Sequence, residues 1–196
     1  MDDDRFAGDI RQIPRDPAVF RAYYRAHFDI VQNYLARRVR EPERVADLTA
    51  DVFLAAIDGA PRYRPTRGTV RAWTYGIARN VLLADLRRTE RERRAISRVA
   101  GRRLLTDDDI VRLEERIDAQ TAIRRMLPAI DELTEGERAV LEFVAIEGLT
   151  VGEAAAALGI STVSARVRLH RARKRLHRHP PGLGDVTPHP IMEVPR

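Results

Sequence analysis

The chain has 196 residues, a formal net charge of +6, 44 % apolar residues and no cysteine. That length holds one large domain or two small ones, and the missing cysteine excludes a disulfide framework and a thiolate-ligated metal site. An acidic start, Met1-Asp2-Asp3-Asp4, and aliphatic runs no longer than Ala154 to Leu158 argue against a signal peptide and a membrane span, so a cytoplasmic protein with no membrane contact of its own is expected.

From the N-terminus the pattern is helical. Asp16 before Pro17 makes a good cap and first turn, and Val19, Tyr23, Ile30, Val31, Tyr34 and Leu35 recur at helical spacing behind it. A second helix starts at Glu41-Pro42 and ends at Gly59 to Pro61. Arg62 to Gly68, with Pro65 and Gly68, reads as a loop. Thr69 then caps a long helix through Trp73, Ile77, Val81 and Leu86, apolar on more than one face and therefore central to its domain. Ala95 to Asp109 loses periodicity and reads as a connector. Thr106 opens another helix that must end near Pro128.

The last third holds two capping boxes, Thr134-x-x-Glu137 and Thr150-x-x-Glu153. Gly148 and Gly159 close the helices that follow them, and Ser161 caps a third helix to about His177. Ten of the eleven aromatics lie at or before Tyr75, with Phe143 the exception, which predicts an aromatic first core and an aliphatic second one. The expected fold class is all-α, with two small helical domains joined by a linker. The boundaries are an N-terminal extension 1–15, a first domain 16–95, a linker 96–120, a second domain 121–179 and a disordered tail 180–196.

Charge is placed unevenly. Leu86 to Arg103 holds eight arginines against Glu90 and Glu92, and Ser161 to Arg178 holds six arginines and Lys174 with no acid. Two basic blocks separated by an acidic segment point to two polyanion-binding faces. Thr150 to Leu176 has the form of a helix-turn-helix, in which the second helix enters the major groove by its N-terminal half. Ala165, Leu169, Ala172 and Leu176 form its buried stripe. Ser161, Thr162, Val163, Ser164, Arg166, Val167, His170, Arg171, Arg173 and Lys174 are the DNA-binding candidates. Arg166 reads guanine, Val163 or Val167 touches a thymine methyl, and the later arginines meet phosphates. An ordinary basic helical hairpin is the plainer alternative, which the glycine turn and the acid-free second helix disfavour.

The run Glu147-Gly148-Leu149-Thr150, with Leu158-Gly159-Ile160-Ser161 and Arg171-Ala172-Arg173-Lys174-Arg175-Leu176, resembles the promoter-binding C-terminal domain of bacterial RNA polymerase sigma factors. Asp47-Leu48-Thr49-Ala50-Asp51-Val52-Phe53-Leu54 resembles the family's core-polymerase-binding helix. Arg71-Ala72-Trp73-Thr74-Tyr75-Gly76-Ile77-Ala78-Arg79-Asn80, followed by Arg87-Arg88, resembles its promoter-melting helix. With only these two domains, the chain resembles the extracytoplasmic-function branch. It departs from the family pattern at Ala50, where glutamine is usual, at Ala84, where the usual aspartate stands one step on as Asp85, and at Leu133-Thr134, where Leu-Pro is common.

The resemblance implies a sigma factor that binds core RNA polymerase and directs promoter-specific initiation. Asp47, Leu48, Asp51, Val52 and Leu54 would dock on the clamp of the large subunit, with the flap a further polymerase contact. Arg79, Asn80, Arg87 and Arg88 would hold the opened minus-ten element, Asn80 through a base. The helix-turn-helix would read the minus-thirty-five element. Partners implied are core polymerase, promoter DNA and an anti-sigma factor. No cofactor, metal or catalytic residue is expected. Two other readings compete: an enzyme, disfavoured by three scattered serines and no phosphate loop, and a conventional regulator that binds duplex DNA without polymerase.

Overall fold

The computed structural model describes residues 10–100 and 132–178, with side chains in the first stretch described as far as residue 95. The expectations for residues 1–9, for the connector beyond Ala100, for the helix from Thr106 and for the 180–196 tail lie outside the described residues. Among the described residues there are six α-helices and no strand. α1 spans Pro17–Ala36, α2 Pro42–Gly59 and α3 Val70–Ala100; α4 spans Glu135–Ala145, α5 Val151–Leu158 and α6 Thr162–Arg178.

The helix starts follow their local chemistry. The Asp16 carboxylate accepts from the Ala18 N–H at 2.8 Å, with Pro17 in the first turn. α2 also begins at a proline, but Glu41 makes no side-chain cap bond. The Thr69 hydroxyl accepts from the Ala72 N–H at 3.2 Å. Both capping boxes are closed in both directions, Thr134 with Glu137 and Thr150 with Glu153. Each such cap contributes about 1 kcal/mol by satisfying amide donors that a helix end leaves orphaned.

α1, α2 and α3 form a bundle around Tyr23, Val31, Leu48, Val52, Phe53 and Leu82. The Tyr23 hydroxyl shares a hydrogen bond with Thr74 Oγ1 at 2.9 Å, which satisfies the one polar atom of a ring that is otherwise fully buried. α4, α5 and α6 enclose a smaller aliphatic core of Val140, Ala155, Ala165 and Leu169.

The two cores differ in composition as expected, but they are not separate. Phe143 on α4 leaves the aliphatic cluster and inserts beside Tyr34 and Tyr75, with ring centroids 6.0 and 5.8 Å away. Leu149 and Ala154 join the first core with it. Burying a phenylalanine is worth about 1.5–3 kcal/mol, so Phe143 belongs energetically to the contact between the units. α5 lies directly on α3. At Gly76 a Cβ would stand 2.8 Å from the Ala157 carbonyl oxygen, so the backbone of α5 can approach this closely only because residue 76 is glycine.

Candidate nucleic-acid and polymerase interfaces

On α6 the expected stripe is present. Ala165, Leu169 and Ala172 are buried and Leu176 is half-buried. The opposite side carries Val163 and Val167 at 67 % and 43 % exposure, apolar surface that no part of the described chain covers. Arg166, His170, Arg171, Arg173 and Lys174 are exposed around them, as are Ser161 and Thr162. Ser164 is half-buried. Its N–H donates to Ser161 Oγ at 3.1 Å, and its own hydroxyl oxygen accepts from Ser161, so both serines serve the helix start as well as the surface.

The angle between α5 and α6 is set by Gly159, whose φ of 64° is left-handed. The Ile160 N–H reaches back to the Ala155 carbonyl at 3.0 Å, closing the turn. Arg175 faces the other way: it donates to Glu137 at 2.5 Å and to the Glu132 carbonyl at 3.0 Å, bracing α6 against the start of α4.

Glu137 and Glu153 are held below the usual carboxylate range. Burial works to raise both. It is outweighed by the backbone N–H and hydroxyl of the capping threonine in each case, with Arg175 and Arg171 adding to the effect at Glu137, and Thr69 and Arg71 at Glu153.

On α3 the predicted residues divide. Asn80 and Arg87 are exposed. Arg88 is exposed too, but it donates to Asp85 Oδ1 at 2.9 Å. Arg79 is engaged by Glu135 at 2.7 Å, across from the second unit. Asp85 is buried and also receives Arg44 of α2 through Nε at 2.9 Å. Near the start of α3, Trp73 forms one wall of a cavity of about 260 Å³ with Tyr63 and the loop residues Arg62, Arg64 and Arg67. Trp73 packs on Tyr63 with ring centroids 5.3 Å apart, and Tyr63 is buried.

On α2, Asp47, Asp51 and Leu54 lie on one exposed face, Leu54 at 60 % exposure. Leu48 and Val52 correct the expectation. They are 3 % and 0 % exposed and face the core, because a contiguous stretch of helix turns neighbouring residues 100° apart. They hold the helix in place rather than present a surface.

A cluster absent from the sequence-based expectations lies between the units. Glu147, just after α4, has a side chain only 2 % exposed. It accepts from Arg37 at 2.5 Å, from Arg38 at 3.5 Å and from the Tyr75 hydroxyl at 3.1 Å, while Arg71 donates to its backbone carbonyl at 2.7 Å. Burial and the Glu147 charge push the Tyr75 phenol up to about 12, which keeps it a donor. Its partners lie far from it in sequence, Arg37 and Arg38 about 110 residues away, so no local pattern announces the cluster. Among the described residues no group of His, Asp and Glu is arranged to hold a metal, and no helix is long and apolar enough to cross a membrane.

The sequence matches the model for Sigma-70 region 2 over residues 23–92 and the model for Sigma-70, region 4 over residues 123–176. It is 31 % identical over 160 residues to the ECF RNA polymerase sigma factor SigD of Mycobacterium tuberculosis, covering 80 % of this chain and 74 % of that protein. It is 28 % identical to the RNA polymerase sigma factor YlaC of Bacillus subtilis, covering 80 % and 88 %. Among solved structures, that of CnrH in complex with the cytosolic domain of CnrY matches with a TM-score of 0.57 and 26 % identity, over 90 % of this chain and 95 % of that one. The sigma factor RpoE of Bartonella quintana, crystallised with the anti-sigma factor NepR, shares the fold at a TM-score of 0.55 and 18 % identity, over 81 % and 94 %.

Proposed function

Because the chain belongs to the ECF RNA polymerase sigma factors, we propose that its two units divide the work of initiation between the faces described above. The protein binds core RNA polymerase and directs promoter-specific transcription initiation. The observation that carries this is the presence of both sigma regions, in order, in a chain that covers most of its relatives. A regulator that binds duplex DNA alone would have no use for the first of them.

The exposed face of α2, with Asp47, Asp51 and Leu54, docks on the clamp of the large polymerase subunit. Five acids against one arginine between Glu41 and Ala60 suit a basic protein surface better than DNA. α3 takes the opened minus-ten element. Asn80 offers an amide to a base and Arg87 a charge to the backbone, with Arg88 beside it. The cavity at Trp73, walled by arginines, has the chemistry for a splayed base and its phosphates. α6 reads the minus-thirty-five element, with Val163, Arg166 and Val167 at the groove floor and Arg171, Arg173 and Lys174 on phosphates.

The work is done by binding, in the cytoplasm with polymerase, and no residue is assigned a catalytic or cofactor-holding role. An anti-sigma protein completes the reading: CnrH, which resembles this chain over 90 % of its length, is seen bound to the cytosolic domain of CnrY. In vitro transcription with core polymerase on a promoter library tests the proposal. Discrete promoter-dependent starts are expected only when this protein is added; output no different from core polymerase alone would overturn it.

A further inference from the structure

The segment ahead of α1 folds onto the first unit. Ile10–Gln12 is a single turn of 3-10 helix. At about three residues per turn, Ile10 and Ile13 stand on one side of it. Both enter the first core, at 0 % and 3 % exposure, while Arg11 and Gln12 are exposed. The segment packs on a second such turn, Ala60–Arg62, at the end of α2. It lies ahead of residues 23–92, which match region 2.

Two prolines shape what Arg11 meets. Ala60–Arg62 and Pro65–Arg67 are both 3-10 turns, and each holds a proline that fixes its own φ and removes an amide donor. Between them Tyr63 and Arg64 are extended, with ψ of 134° and 109°. The peptide joining these two residues is the hinge of the loop. The backbone bonds of the turns fall on either side of it: the Tyr63 N–H donates to the Ala60 carbonyl at 3.1 Å, and the Arg67 N–H to the Arg64 carbonyl at 2.9 Å. At the hinge itself, the Tyr63 carbonyl accepts from Arg11 Nε at 3.2 Å, across 52 residues of sequence.

The hinge matters because of the side chain it carries. The Tyr63 ring packs on Trp73, and its hydroxyl donates to the Gly68 carbonyl at 3.1 Å. One residue thus spans the loop and lines the cavity it shares with Trp73, Arg62, Arg64 and Arg67. The loop brings three guanidinium groups of its own to that cavity. Arg11 commits its Nε to backbone instead.

We infer that Arg11 is a positioning residue for the minus-ten element. By holding the Tyr63 carbonyl it fixes the aromatic wall of the cavity, and so governs which bases are accepted there rather than how tightly DNA is held at large. Ile10 and Ile13 supply the fixed point from which it acts, since a site is only as well placed as the groups that support it. The inference rests on the function proposed above.

Side-chain chemistry separates positioning from charge. In Arg11→Gln the amide nitrogen stands the same number of bonds from the backbone as Arg Nε, so a donor to Tyr63 remains and the charge goes. Arg11→Ala removes both. Neither change touches Ile10 or Ile13, so the segment stays anchored. Trp73 is the only tryptophan in the chain, and its fluorescence reports on the cavity wall directly.

In the free full-length chain, acrylamide should quench Trp73 about twofold more steeply in Arg11→Ala than in the parent, with Arg11→Gln like the parent. The second measurement is transcription with core polymerase from a library randomised at the minus-ten element. There Arg11→Ala should shift the relative use of bases by about fivefold, the effect of one net hydrogen bond. It should leave the ranking of minus-thirty-five sequences unchanged, and Arg11→Gln should keep the parent's ranking at both elements. Equal quenching in all three forms, or an unshifted minus-ten ranking in Arg11→Ala, would overturn the inference. So would an Arg11→Gln variant as impaired as Arg11→Ala with its salt slope lowered by about one charge, which would make Arg11 a phosphate contact. Output from the parent no different from core polymerase alone would instead count against the proposed function, while the quenching comparison still decides whether Arg11 holds the cavity wall.

Discussion

Arg44 of α2 and Asp85 of α3 form an ion pair that ties the two helices together. Nε and Nη2 of Arg44 both donate to the same carboxylate oxygen, Oδ2, and Nη2 also donates to the Thr89 hydroxyl at 2.8 Å. Asp85 is 5 % exposed, and its other oxygen takes Arg88. The carboxylate one step from the family's usual position thus acts as a strut between α2 and α3.

Asp85→Ala should lower the free energy of unfolding by about 2 kcal/mol. Breaking a buried pair costs about 3–5 kcal/mol, reduced here because the Arg44 side chain keeps part of its water. Urea denaturation of the variant, of Arg44→Ala and of the double variant measures it. The double variant should lose less than the two single losses together.

Asp47→Arg and Asp51→Arg should weaken binding to core polymerase by about tenfold or more and leave binding to isolated promoter DNA within about twofold, since like charge at a docking surface costs well over 1 kcal/mol. Both side chains are exposed and Leu48 and Val52 hold the helix beneath them, so the fold should survive. Titration of labelled core polymerase checks it, and unchanged affinity in both variants would remove α2 from the interface.

Arg166→Ala should change which minus-thirty-five sequences are used. A lost bidentate base contact costs about 1–3 kcal/mol at one position. Arg173→Ala should instead lower output on every promoter and reduce the salt slope by about one charge. Promoter-library transcription at two salt concentrations separates them. If Arg166→Ala depresses all promoters equally, Arg166 meets phosphate and the register of α6 in the groove is different.

The second unit should lose stability in acid before the first. Glu137 and Glu153 are held below the unfolded carboxylate value of about 4.3. A group whose folded value is depressed contributes fully above its unfolded value, and that contribution is lost as pH falls through the folded one. Helicity followed from about pH 5 to about pH 3 should fall with a component that Glu137→Gln and Glu153→Gln remove. Identical acid profiles for parent and variants would show that other carboxylates govern the transition.

What was legible in the sequence was local. Asp16, Thr134 and Thr150 announce helix starts because a cap is made within three residues, and Gly159 announces its turn because a left-handed residue needs no distant partner. The stripe of Ala165, Leu169 and Ala172 follows from the helical period alone. Residues whose surroundings come from far along the chain were not legible. Glu147 reads as part of a motif, and nothing near it in sequence says that Arg37 and Arg38 will surround it, more than a hundred residues away. Arg79 looks like a free phosphate contact until Glu135 is brought beside it. Leu48 and Val52 were drawn into the interface by a motif written as consecutive letters, which the helix then divides between its two sides.

The alanines of α5 put different evolutionary pressures on adjacent codons. Ala155 is enclosed within the second core, and Ala154 is equally buried where that unit meets the first, so a larger residue at either is read out as loss of protein. Ala156 is only half-buried, and a Cβ on Gly68 would come within 2.7 Å of its methyl, so this pair governs the approach of α5 to the loop before α3 rather than either core. A saturation scan that scores cellular abundance and transcriptional output separately should therefore deplete alleles for abundance at Ala154 and Ala155, while larger residues at Ala156 keep abundance and change output alone. A lineage could retune its sigma factor at Ala156 by single-nucleotide changes, without touching a base-reading residue.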